Sequence, residues 1–136
     1  LSSPARRYAE MLEGNTIRPE LMRYELHRVW VVEATLAPGK SHVYARRTFY
    51  LDEDSWQIVL AEAWDGHGEL WRVSLLPLIQ LYDVPNMVPR AQLIHDLRSG
   101  SLLVTGLDNE RPQPAMRWHE KGRLSDFRPA ALSRMH

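Results

Sequence analysis

Few residues in this chain are spaced for chemistry. His95-Asp96 lies close to Ser99 and Ser101, which together offer the side-chain types of a hydrolytic relay. A nucleophilic serine of that kind sits on a sharp turn of the form Gly-x-Ser-x-Gly, and the sequence contains no such run. Neighbouring residues on a strand also point to opposite faces, so His95 and Asp96 are badly placed to relay a proton. Asp65-Gly66-His67-Gly68-Glu69 puts three potential metal ligands within one short run. Its two glycines explain it more simply as a turn between strands. His27, His42 and His119 show no ligand spacing. There is no cysteine, and so no disulfide, thiol nucleophile or thiolate metal site. The sequence assigns no catalytic residue, no metal and no cofactor.

Binding is the better-supported chemistry. Trp30, Trp56 and Trp64 fall on apolar stripes, and Trp71, Phe49 and Tyr50 lie nearby. Together they are candidates to line an apolar pocket for a lipid-like ligand; an ordinary core is the simpler use of the same residues. Arg28 falls on the apolar face of its segment. A buried arginine needs a carboxylate or a ligand anion, whereas an edge arginine needs only water. Arg46-Arg47 and Asp52-Glu53-Asp54 read as solvated charges at the two ends of one strand.

The elements that must position these side chains are mostly strands. Residues 1–22 form a lead-in, with Tyr8, Met11 and Leu12 at helical spacing and Gly14-Asn15 ending that helix. From Tyr24 to Leu36 the apolar residues recur with period two, the mark of a half-buried strand. Val43–Leu51 and Trp56–Trp64 make a hairpin around the acidic turn. Leu70–Leu76 follows the glycine turn, and Pro77 imposes a bend or an edge before Leu78–Val84. Pro85 to Pro89 reads as a loop. Ala91–Leu97 and Leu102–Leu107 flank Arg98-Ser99-Gly100, another hairpin signal. Beyond Asp108 the chain turns polar, and Pro129–Leu132 suits a terminal helical turn.

This describes a mainly β fold, a curved antiparallel meander over residues 23–107, with residues 108–136 as a C-terminal arm. Residues 1–136 read as a single β-rich domain. Apolar residues on both faces, among them Val31, Tyr50, Ala61 and Ala63, imply a sheet covered on both sides or curved around a cavity. Six strands fall short of the ~8 that close a small barrel.

Composition narrows the function. Lys+Arg and Asp+Glu number 17 each in 136 residues, so no net charge draws the chain to nucleic acid or to an anionic membrane. No stretch approaches the ~18–20 apolar residues of a membrane helix. The chain begins Leu1-Ser2-Ser3-Pro4, without an initiator Met or signal-peptide pattern, which suggests either a removed leader or a piece of something longer.

Several long runs carry a family resemblance. They are Tyr24 to Leu36 followed by Pro38-Gly39-Lys40, Phe49 to Ile58, Asp65 to Ser74, Tyr82-Asp83-Val84-Pro85 and Gly106 to Glu110. Together they resemble the C-terminal part of a bacterial family often described as outer-membrane lipoprotein-sorting proteins (domain of unknown function 1329). The resemblance implies a fold similar to the lipoprotein carriers LolA and LolB, an unclosed half-barrel with helices across its concave face. It implies an acyl chain or lipid as ligand, a periplasmic location or the periplasmic face of the outer membrane, and work beside an exporter of the resistance–nodulation–division (RND) type. It supplies no catalytic residue. The chain departs from the family pattern at His95-Asp96-Leu97, where Tyr-Asp-Leu is usual. It departs again at Arg128, where a threonine would cap the final turn.

The first functional reading is therefore a periplasmic lipid- or lipoprotein-binding carrier module, lined by Trp30, Phe49, Tyr50, Trp56, Trp64, Trp71 and Arg28. A hydrolase of lipid or polyester substrates, and an envelope scaffold docking onto an exporter, are the alternatives. The edge of the Tyr24–Leu36 strand is expected to pair with further sequence or a second chain.

Overall fold

The structure, a computed structural model, describes residues 5–112 and 124–132. A one-turn helix, α1 (Tyr8–Met11), leads into a small hairpin of β1 (Leu12–Glu13) and β2 (Thr16–Ile17). The strands β3 (Val29–Thr35), β4 (Arg46–Asp52), β5 (Ile58–Trp64) and β6 (Leu70–Leu75) follow. A second hairpin, β7 (Leu78–Leu81) with β8 (Asn86–Pro89), precedes β9 (Gln92–Asp96) and β10 (Ser101–Thr105). The short helix α2 (Pro129–Leu132) comes last among the described residues.

Six of these strands form one antiparallel sheet in the order β10–β9–β6–β5–β4–β3. The fold is mainly β, as the alternation predicts, and the sheet is not closed. No helix among the described residues is long and apolar enough to cross a membrane.

Three local readings are corrected. Gly14-Asn15 does not end the helix. The helix stops at Met11, and Gly14, at φ +58°, turns the β1–β2 hairpin. The strand expected from Tyr24 begins at Val29, because Tyr24 and Leu26 stand in solvent without ladder partners. Pro85 to Pro89 is not wholly loop, since Asn86–Pro89 is β8. The turn lies one step earlier, at 82–85, and Pro89 is the last strand residue, after which the Arg90 N–H donates to the Pro77 carbonyl at 2.8 Å. The meander is thus interrupted: after Pro77 the β7–β8 hairpin leaves the sheet, and β9 returns to pair with β6.

The core sits at the β9–β10 end. Ile17, Ala91 and Leu93 are buried together, with Leu21, Met22, Leu75, Leu102, Val104 and Leu107 packed around them. The lead-in therefore covers one face of the sheet at this end. It is pinned there by Tyr8, whose N–H donates to Glu110 Oε1 (2.8 Å) and whose hydroxyl donates to the Leu107 carbonyl (3.2 Å). Gly106, at φ +83°, lets the chain pass close to Ala91, whose Cα lies 3.5 Å from where a Cβ would stand. Burying a leucine such as Leu93 contributes about 1.5–3 kcal/mol.

Candidate functional site

Cross-strand partners in an antiparallel ladder share a face, so the registers define the opposite side of the sheet. One row runs Ala34, Arg47, Ala63, Arg72 and Asp96 across β3, β4, β5, β6 and β9. The next runs Val32, Phe49, Ala61, Ser74 and Ile94. Beyond it lie Trp30, Leu51 and Ile58. The small side chains of Ala61, Ala63 and Ser74 form the floor, and larger ones stand on either side. A cavity of about 370 Å³ results, bounded by Tyr44, Arg47, Phe49, Ile58, Leu76 and Ile94 among others. That volume lies within the ~300–1,000 Å³ of small-molecule sites.

Two β-bulges set its outline. Between Ala63 and Trp64 the β5–β6 register slips, leaving Trp71 as an extra residue beside Arg72. Both side chains consequently reach Asp96 Oδ2, Trp71 Nε1 at 3.0 Å and Arg72 Nε at 3.0 Å. The second bulge, between Tyr50 and Leu51, brings Ile58 opposite Leu51 on the cavity side.

The Arg47–Arg72 end is cationic and aromatic. Arg72 Nη1 donates to the Tyr44 hydroxyl at 2.7 Å, and Tyr44 packs edge-on against Trp71 with ring centres 5.5 Å apart. Arg98 lies over Trp71 at 4.5 Å and pairs with the buried Asp65. The bonds from Asp96 and Tyr44 raise the Arg72 pKa. Asp96 is pulled down to about 2, first by the Ser99 backbone N–H, with Arg72 and Trp71 adding to it.

The sequence-predicted lining residues are spread over the molecule. Phe49 bounds the cavity. Trp71 stands at its cationic end, behind Tyr44. Trp30 shares the cavity's face but lies on the edge strand, 55% exposed. Tyr50 and Trp64 fall on the other face, where Tyr50 donates to Glu62 (3.2 Å) and Arg46 lies over Trp64 (4.2 Å). Trp56 stands exposed in the β4–β5 turn at φ +58°, a left-handed conformation unusual for a bulky residue. Arg28 is at the surface, paired with Glu53 at 3.0 Å.

Other readings change with the fold. Asp52 is not a solvated charge. It is buried, accepting from the Ser55 N–H (2.8 Å) and hydroxyl (2.6 Å) and bonded to His27 Nδ1 (2.9 Å). Its pKa is lowered, chiefly by the Ser55 hydroxyl. His27, Asp52 and Asp54 bring potential metal-ligating atoms within 4.8 Å of one another, a grouping that no sequence spacing reveals. Asp52 is already committed there to the turn. Asp65-Gly66-His67-Gly68-Glu69 is a turn, with Asp65 accepting from the His67 and Glu69 N–H groups (2.8 and 2.9 Å). His95 and Asp96 face opposite sides of the sheet. His119 lies outside the described residues.

Sequence reasoning missed Tyr44, Arg47 and Arg72. For Arg47 a signal existed, since period two puts it on the Phe49 face. The bulge that brings Trp71 and Arg72 to Asp96 has no such mark.

The family model described as "Protein of unknown function (DUF1329)" matches residues 1–133. The chain belongs to this family. An uncharacterized protein of Pseudomonas aeruginosa is 43% identical over 132 residues, covering 97% of this DUF1329 chain. The chain spans 29% of that relative's length. Two crystal structures resemble the fold in part, each at 20% identity. A domain from Vibrio parahaemolyticus named for outer-membrane lipoprotein sorting has a TM-score of 0.44, covering 60% of this chain and 40% of its own. A LolA superfamily protein from Nitrosomonas europaea has a TM-score of 0.47, covering 61% and 37%.

Proposed function

We propose that this chain is a periplasmic binding or carrier module for an apolar ligand, an acyl chain or lipid, and acts without catalysis. One observation carries the reading: the small-residue trough of Ala61, Ala63 and Ser74, walled by Phe49, Ile58 and Ile94. Tyr44, Leu76 and strand residues bound it, and no described residue of the lead-in does so. Apolar burial there favours binding by about 25 cal/mol per Å² before association costs. The hydrolase alternative lacks its relay, because His95 and Asp96 are separated by the sheet.

Native mass spectrometry after gentle purification, with titration of a fluorescent fatty acid, tests the reading. Retained lipid mass or saturable binding is expected. Neither adduct nor binding would overturn it. The family resemblance adds docking onto an RND-type exporter, to be tested by pull-down with that exporter. The β3 edge supports pairing with a strand from the rest of a longer chain.

A further inference from the structure

Two arginines stand at one end of the cavity, and a carboxylate holds only Arg72 of the two. Arg47, Ala63 and Arg72 occupy one row on three adjacent strands. At ~4.8 Å per strand the two arginine positions flank a slot about 10 Å across, floored by a single methyl group. Tyr44 is shared between them, its ring centre 4.7 Å from the Arg47 guanidinium carbon and 5.9 Å from that of Arg72. The nearby carboxylates are taken. Asp96 holds Arg72 and Trp71, Asp65 holds Arg98, and Glu62, which also borders the cavity, lies on the other face by register and accepts from Tyr50 there. Arg47 is half-buried and has no carboxylate partner among the described residues.

A half-buried guanidinium without a counterion at the end of an apolar cavity is costly unless a ligand supplies the anion. Its planar fork of donors suits a carboxylate. Away from this row the surface becomes apolar along the strands, over Ala61, Phe49 and Ile58. We infer that the cavity takes a single-chain anionic amphiphile, with its carboxylate between Arg47 and Arg72 and its acyl chain along Ala61 and Phe49. This rests on the apolar-carrier reading and adds the ligand's charge and orientation.

The test is displacement of a neutral fluorescent apolar probe by dodecanoate, 1-dodecanol and acetate at neutral pH and low salt. Dodecanoate should compete at least about tenfold better than dodecanol, since a hydrogen bond to a charged group contributes ~1.5–3 kcal/mol. Arg47→Gln should bring dodecanoate down to the dodecanol level and leave dodecanol within about twofold. A melting curve confirms that the variant folds, and the wild-type comparison stands without it. Equal competition by the two twelve-carbon compounds overturns the inference and leaves the apolar reading intact. Acetate competing as well as dodecanoate overturns it in favour of a free-anion site. Failure of the probe and both long-chain compounds to bind overturns the apolar reading, and this inference with it.

Discussion

The two ends of one sheet are built from the same alternating sequence pattern and finish in different states. At the β9–β10 end Leu93 is 2% exposed, because the lead-in brings Ile17 into its cluster and packs Leu21 and Met22 against it. At the β3 end every residue from Val29 to Thr35 is exposed, with Val31 at 61%. β3 has the same apolar character and hydrogen-bonds to β4 on one side alone. Hydrophobic patterning therefore determines which face a residue takes, and a covering layer determines whether it contributes to stability. Edge strands with bare apolar side chains are also the part of a sheet most prone to add another strand.

The largest expected effect contrasts the two ends directly. Leu93→Ala should cost about 2–5 kcal/mol in urea unfolding, a large share of a small domain's stability. Val31→Ala should stay within about 0.5 kcal/mol. Comparable losses at both sites would mean that β3 is covered in solution.

Next in size is the buried carboxylate at the β4–β5 hairpin turn. Asp52→Ala strands the Ser55 and His27 donors, and should cost about 1–3 kcal/mol by the same measurement. An effect no larger than that of Val31→Ala would show that the turn stands without its carboxylate.

Acid should loosen the cationic end of the cavity. Asp96 falls from its ordinary value of 3.8 to about 2 in the folded chain, so its contribution is present above the ordinary value. That contribution disappears as the pH drops through the folded value. Asp52 and Asp65 are lowered in the same direction. Stability measured between about pH 5 and pH 2 should decline. Asp96→Asn should be the less stable protein at neutral pH, with its gap to wild type closing by about pH 2. A gap independent of pH would assign the loss to packing.

The smallest expected change in stability accompanies a change in association. Val31→Lys places a charge on the bare edge, a substitution that discourages strand pairing. Light scattering should show less self-association than wild type at the same concentration, with the melting midpoint nearly unchanged. Unchanged association would place the adhesive surface elsewhere, with the β10 edge the next to test.

Much of the fold was legible along the chain, because side-chain alternation is local. The strand pairs around 52–57 and 98–100 follow from runs of apolar residues separated by turn chemistry. The candidate site was legible only in part. Phe49 shares the cavity's face by simple period two, whereas Tyr50, one residue away, does not. Trp64 and Trp71 look alike in sequence, and a slipped register separates them: Trp64 goes to the far face and Trp71 joins Arg72 on Asp96. His27 and Asp52 lie 25 residues apart and meet beside the hairpin turn.

By itself the sequence determined the mainly β class, the lack of cysteine chemistry and the family. Each of these depends on composition, local periodicity or linear motifs. Tertiary structure decided which apolar residues are covered, where the ladder slips, and that Arg47, half-buried beside an apolar trough, has no carboxylate partner among the described residues. Those outcomes depend on contacts between residues far apart in the chain, and local preferences do not encode them.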